Sequence, residues 1–306
     1  MSPPDSPRRP LDVRVRSSLR RTGVEAVWAL GKKEFLDSVR NRWIIALAAI
    51  FLILTLTVSY LGGAAEGGGV GFQGLFETVA GMTFISQILI PILGLMLSYA
   101  AIVGEKERGS ILLLMSMPIT RNETILGKFL GLSAVMLAAV LSGLGIGGIV
   151  IMAFAGTEGW ENFLVFLLGA IVFALAFLGV GLLLSSITKR RSLAMGLAVF
   201  LWFFFAFIFN IILVGVFIGT GGSFPTTPGQ AFVLPDWIYV AQLTNPVAAF
   251  SSFAARAFGL SMGFEGIGFP AELPDFISIG TTGLSMALWA LIPLGLAAWR
   301  FRRQDL

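Results

Sequence analysis

Six long apolar stretches, separated by segments that carry nearly all of the basic residues, decide what this chain can fold into. They run through Trp43–Leu61, Val79–Val103, Ile125–Phe154, Phe163–Ile187, Leu193–Ile218 and Phe276–Ala298. A helix rises 1.5 Å per residue, so about 20 apolar residues cross the hydrocarbon core of a bilayer. Backbone polar groups find no water in lipid and must bond within their own segment, which makes each stretch a helix. The expected fold is therefore all-α and integral to a membrane, with six transmembrane helices. By length alone, 306 residues suggest about two soluble domains. Only 12% of the residues are charged and the mean hydropathy is +0.89, against about 25% charged in a soluble domain, and that excludes them.

Basic residues set the orientation. Of 21 Lys and Arg, ten precede the first span, from Arg8 to Arg42. Lys106, Arg108, Arg121 and Lys128 flank the second loop, Lys189, Arg190 and Arg191 the fourth, and Arg300, Arg302 and Arg303 the C-terminus. Only Arg256 falls on the other side. The positive-inside rule then places both termini in the cytoplasm, and the even number of spans agrees. This distribution also disposes of nucleic acid as a partner, because the charges serve topology and form no binding motif. The first span begins too late and runs too long for a cleaved signal peptide.

Several chemistries are excluded by what is missing. The chain has no cysteine and no histidine, so disulfides, thiolate and zinc sites and histidine bases are absent. No Asp, Glu, Lys or Arg lies in the central part of a span, where a proton- or sodium-coupled carrier would need one. Gln87, Ser98, Tyr99, Ser142, Asn210 and Thr282 read as interhelical hydrogen-bond partners. Gly127-Lys128 is not a phosphate loop: Asn122 stands where its first glycine belongs and Phe129 where Ser or Thr would bind magnesium. No catalytic, cofactor or metal site is expected in this chain, and it is not expected to be an enzyme.

The organisation reads in three parts. Residues 1–17 form a disordered basic tail. Residues 18–42 form an interfacial helix. Val24, Val27, Trp28, Phe35, Val39 and Trp43 recur at helical spacing, with Glu25, Lys32, Lys33, Asp37 and Arg40 on other faces. It serves either as a juxtamembrane anchor or as a brace for a partner or neighbouring spans. Residues 43–306 hold the six spans. Within them Gly143, Gly145, Gly147, Gly148, Gly179 and Gly181 permit close helix approach, and Pro91 and Pro293 interrupt helix bonding. Both sets are packing features or hinges. The outer stretch at about 219–275 contains two short amphipathic helices, Asp236–Leu243 and Pro246–Gly259, lying on the outer surface or dipping into the leaflet and returning. Arg256 argues against a further span there.

The connection between the second and third spans is more than a linker. Gly104-Glu105-Lys106-Glu107-Arg108-Gly109-Ser110 is followed by Ile111-Leu112-Leu113-Leu114-Met115 and then Ser116-Met117-Pro118-Ile119-Thr120-Arg121. A charged cluster, an apolar half-turn and a proline break make a short amphipathic element that a soluble partner can push; the other reading is that Ile111–Met115 continues the membrane helix or packs under the bundle. Burying Leu112, Leu113 and Met115 against that partner is worth about 1.5–3 kcal/mol each. Glu105, Glu107 and Arg108 would set register by charge, and Pro118 ends the element.

This loop resembles that of the ABC-2-type permeases: an acidic-basic cluster with Gly109-Ser110, a leucine run, Pro118-Ile119-Thr120-Arg121 and Gly127-Lys128. Lys33-Glu34-Phe35, Arg40-Asn41-Arg42-Trp43, the six spans and the outer excursion extend the likeness over nearly the whole chain. Gly69-Val70-Gly71-Phe72, Ala101-Ile102-Val103-Gly104-Glu105 and Asn245-Pro246 are most similar to the permease subunit of the copper-maturation system for nitrous oxide reductase. The resemblance implies a multi-pass protein of a prokaryotic plasma membrane that pairs with a second copy. It implies a separate ATPase subunit that holds ATP and magnesium and seats the loop in a groove. Glu105, Glu107, Arg108, Gly109, Leu112, Leu113, Met115, Pro118 and Arg121 are then the coupling residues. Export through the paired subunits is the expected function. The alternative is a mechanotransmitter that acts on an extracytoplasmic partner protein without passing a substrate.

Overall fold

The computed structural model describes residues 23–65, 69–110, 119–223, 234–260, 262–263, 270–271 and 273–303. The tail (1–17), the first residues of the expected interfacial helix (18–22) and the apolar half of the second loop (111–118) lie outside them.

Helix α1 (Gly23–Val39) ends at a turn over Arg40, and α2 (Arg42–Ala65) is the first span. The second span is α3 (Leu75–Ser98), which passes through a turn over 99–102 into a five-residue helix, α4 (Val103–Glu107). The third span is α5 (Arg121–Val140), a π-turn (Leu141–Gly145) and α6 (Ile146–Ala155). The fourth is α7 (Trp160–Ile187), and the fifth is α8 (Arg191–Phe203), a π-turn (Phe204–Ile208) and α9 (Phe209–Gly219). Short α10 (Asp236–Leu243) and α11 (Pro246–Phe258) follow, then a two-residue antiparallel pair, β1 (Met262–Gly263) with β2 (Pro270–Ala271). Last comes α12 (Ile279–Arg302). Six helices among the described residues are long and apolar enough to cross a membrane, and they coincide with the six stretches read from hydropathy.

The second, third and fourth spans form the buried centre, and the first, fifth and sixth lie around them with most of their surface exposed. Small residues let the centre close. Gly179 faces the Ala290 carbonyl, Gly94 faces Phe177 Cβ and the Leu178 and Ala174 backbone, and Gly169 lies under the ring of Phe253. Gly143 and Gly147 admit Phe51 and Thr55 of α2, where a Cβ on either glycine would sit 2.6 Å from them. The π-turn of the third span falls at this contact, over Leu141–Gly145. Gly145 meets only its own helix's Leu141. Pro91 and Pro293 are buried inside uninterrupted helices, α3 and α12.

The outer excursion differs from a surface helix. In α11, Asn245 caps the first turn, Pro246 starts it, and Gly259 ends it in the left-handed region (φ 64°). Twelve of its 13 residues are buried. Phe250 stacks on Phe173 at 4.5 Å, and α11 packs against α7, α12 and α3. Its small residues, Ala248, Ala249, Ser251, Ser252, Ala254, Ala255 and Ala257, allow that insertion. Of the two placements expected for it, the surface one is therefore corrected: α11 is inserted in the bundle. Arg256 is accommodated because its guanidinium donates to the carbonyls of Leu273, Pro274 and Ile277, in the turn that precedes α12.

Candidate functional site at the basic end of the bundle

The segment after the second span makes four connections to the rest of the molecule. Helix α4 starts where the turn over 99–102 leaves backbone donors without helical partners. Ser185 in α7 supplies the missing acceptor: its fully buried Oγ receives the N–H of Ile102 at 2.9 Å and of Val103 at 3.0 Å. One turn on, Lys106 Nζ donates to the Ser186 carbonyl at 3.2 Å. Glu107 Oε1 accepts the backbone N–H of Arg191 at 2.8 Å, so a carboxylate sits at the positive N-terminus of the fifth span. Arg108 Nε donates back to the Gly104 carbonyl, and Gly109 (φ 71°) closes the helix in a conformation that glycine alone adopts freely.

Glu105 makes the fourth connection. Lys128 in α5 is 1% exposed, and its Nζ bonds Glu105 Oε1 and Glu34 Oε1 of α1, each at 2.7 Å. An ammonium has three donors, and two of them meet carboxylates here. A lysine this deeply buried persists only when paired. Glu105 was expected to offer its charge to a partner. Its side chain is instead 13% exposed and held inside the chain by Lys128. Its other oxygen, Oε2, is buried without a hydrogen-bond partner.

Around this node the other helix ends are tied down. Thr120 and Glu123 form a reciprocal capping box at the start of α5. Arg121 Nη1 donates to the carbonyls of Phe301 (3.1 Å) and Arg302 (2.9 Å), satisfying the C-terminus of α12, while Arg302 Nε bonds Asn122. Of the expected coupling residues, Glu105, Glu107, Arg108 and Gly109 lie on or directly after α4, while Arg121 bonds the end of α12. Leu112, Leu113, Met115 and Pro118 lie outside the described residues. Among the described residues no group of three or more His, Cys, Asp or Glu gathers as a metal site would require.

Helix α1 shows two apolar faces. Val24 (80%), Trp28 (75%) and Val39 are exposed, Phe35 is half-buried, and Arg40 is exposed at the following turn. The face packed on the bundle is a different one, made of Ala26, Leu30 and Gly31 with Glu34 beside them. Gly31, Gly127 and Gly131 bring the two backbones together: a Cβ on Gly31 would lie 3.3 Å from the Gly127 carbonyl. Sequence reasoning gave no role to Lys128, Glu34 or Ser185. The signal was an ionisable group, Lys128, set among small or apolar neighbours within its helix.

Sequence comparisons agree with this arrangement of spans and loop. Residues 28–306 match the family described as ABC-2 family transporter protein. A probable ABC transporter permease protein NosY of Pseudomonas aeruginosa is 33% identical over 289 residues, covering 92% of this chain and 99% of the relative. The NosY counterpart of Stutzerimonas stutzeri is 31% identical over 284 residues, covering 91% and 98%. The inner membrane transport permease YhhJ of Escherichia coli is 26% identical over 203 residues, covering 66% of this chain and 48% of that protein. On a match of this extent the chain belongs to the ABC-2 family of transporter proteins.

Proposed function

We propose that this chain is the permease subunit of an ATP-driven export system. A separate ATPase subunit, which binds ATP and magnesium, acts from the cytoplasm on the segment 104–121, and two permease copies pair in the plasma membrane. Membership of the family and the basic end of the bundle support that orientation. The observation that carries the reading is the bonding of α4. A five-residue helix next to a proline-broken apolar loop would not need bonds to α5, α7 and α8, and through Lys128 to α1, if it only connected two spans. A force applied to residues 111–118 reaches all four through it. The exposed Val24, Trp28 and Val39 face of α1 fits a helix lying in the lipid interface.

Leu113→Asp tests the coupling. Co-purification with the ATPase, or ATP hydrolysis in the assembled complex, is expected to fall. Unchanged assembly and unchanged hydrolysis overturn the reading.

One observation favours the second reading, in which spans move to act on an extracytoplasmic partner and no substrate crosses. The turn from α10 into α11 is tied to the fifth and sixth spans. Asn245 Nδ2 donates to the Phe205 carbonyl in the π-turn of the fifth span at 2.8 Å. Trp289 Nε1 donates to the Thr244 carbonyl at 3.1 Å, and Ser285 bonds the Leu243 carbonyl. Motion of those spans carries the outer excursion with it. The likeness to copper-maturation permeases agrees. Stimulation of ATP hydrolysis by a transported compound favours export, and stimulation by an outer protein alone favours mechanotransmission.

A further inference from the structure

The three charges at Lys128 are unevenly held. One ammonium serves two carboxylates, so the buried cluster carries a net charge of −1, and each carboxylate competes for the same cation. Glu34 sits on α1, whose backbone touches that of α5. A Cβ on Gly131 would lie 2.7 Å from Glu34 Cβ and 3.0 Å from Gly31 Cα, and one on Gly127 would lie 2.9 Å from Leu30 Cβ. Helices in backbone contact have no room to slide, so the Glu34–Lys128 bond is locked by packing. Glu105 lies on α4, which is held by single hydrogen bonds to Ser185, Ser186 and Arg191 and not by backbone contact of that kind. It sits on a single helical turn between an irregular turn (99–102) and Gly109, and leads directly to the segment on which a partner would act. Its Oε2 is buried without a bond, which makes it the less satisfied of the two acids.

We propose that Lys128 is the shared cation of a one-sided latch. The Glu34 bond stays closed throughout the cycle, and the Glu105 bond opens when force reaches residues 111–118. Opening changes a buried cluster of net charge −1 into a buried neutral pair, Lys128 with Glu34. The freed carboxylate of Glu105 moves toward the exposed residues 107–110 and regains water. The lost charge-assisted bond is offset by that rehydration, so the two states lie close in free energy, as a switch requires. Lys128 and Glu34 are positioning residues here. The latch rests on the coupling role proposed above.

The chain has no cysteine, so labels can be placed singly. Spin labels at Lys33→Cys and Ser110→Cys report the opening leg, and labels at Lys33→Cys and Leu126→Cys report the fixed one; all three positions are exposed. Distances are measured in the complete complex with its ATPase, nucleotide-free and with ATP trapped. The 33–110 distance is expected to shift and the 33–126 distance to stay. Glu105→Gln weakens the opening leg and is expected to raise the open fraction severalfold without nucleotide. Glu34→Gln leaves Glu105 as the sole carboxylate partner and is expected to lower the open fraction with ATP. General damage to the fold cannot move the two variants in opposite directions. Movement of 33–126 together with 33–110, a static 33–110 distance in a complex that hydrolyses ATP, or a change of the same sign in both variants overturns the latch. A chain that binds no ATPase overturns the coupling reading and the latch together.

Discussion

Replacing Gly131 with alanine tests the crossing of α1 over the third span. The added methyl would stand 2.7 Å from Glu34 Cβ, 3.0 Å from Gly31 Cα and closer still to the Gly31 carbonyl oxygen. Carbon contacts relax to about 3.5–4.0 Å, so α1 must move away by roughly 1 Å. Two of the clashing groups are backbone, and no rotamer change relieves them. The same movement stretches the 2.7 Å Glu34–Lys128 bond past the 3.2 Å at which such bonds weaken. Overpacking costs about 1–3 kcal/mol, and a weakened bond to a charged group adds about 1 kcal/mol or more. Against this, alanine gains about 1 kcal/mol of helix propensity. The expected net loss is about 1–3 kcal/mol. The control is Gly145→Ala in the same span, where the new methyl meets only Leu141, at 3.7 Å and beyond, and the propensity gain stands alone. Thermal inactivation of the two variants in lipid nanodiscs, side by side with the parent, reads the difference. Equal midpoints for Gly131→Ala and Gly145→Ala would refute the backbone-contact argument.

Three further perturbations probe other joints. Lys128→Met leaves Glu34 and Glu105 facing each other within two bond lengths. At an effective dielectric of about 20 that repulsion is roughly 3 kcal/mol, and breaking a buried pair typically costs about 3–5 kcal/mol. Yield and thermal midpoint should fall, and adding Glu34→Gln with Glu105→Gln should restore most of both; no recovery in the triple variant counts against the charge cluster as the cause. Ser185→Ala removes the acceptor of two backbone N–H groups and should cost about 2 kcal/mol. Hydrogen exchange should then accelerate at Ile102 and Val103, and unchanged exchange there contradicts the assignment. Asn245→Asp keeps the helix cap, where Asn and Asp are about equal, but loses the donor to the Phe205 carbonyl and faces it with a carboxylate. It should destabilise α11 at neutral pH, whereas a thermal midpoint equal to the parent's would show that the link to the fifth span carries no weight.

The spans were legible because hydropathy over 20 residues outweighs every local preference, and their flanking charges mark one end of the bundle. Partners across helices were not. Lys128 and Glu34 are 94 positions apart, and nothing local in either segment names the other. The packing face of α1 was hidden for a physical reason. Val24, Trp28 and Val39 are the conspicuous apolar residues and stay exposed, whereas helices in membranes approach through small ones, here Gly31, Gly127 and Gly131. Arg256 argued against a further span and left α11 either on the surface or dipping into the leaflet; three carbonyls satisfy it at the end of an inserted helix. The π-turns left no trace in composition. That of the fifth span becomes intelligible only from the Phe205 carbonyl it offers to Asn245.

Polar bonds run without a break from one end of the molecule to the other. Glu107 holds the start of α8, the π-turn beyond α8 holds Asn245, and α11 holds the turn before α12 through Arg256. Contiguity of this kind does not by itself transmit anything, since a rigid chain of contacts has one state and responds to force only by straining. Transmission needs an element with two arrangements of similar free energy, and it has to sit where force enters. Most of these joints are poorly suited, because opening them would strand a buried backbone donor or acceptor, as at Ser185 and Asn245. The Glu105–Lys128 bond differs: its opening leaves a neutral pair behind and returns the freed carboxylate to water. Among the described residues, the fold therefore places an exchangeable charge contact beside the loop on which a partner would push, and builds the remaining connections to follow.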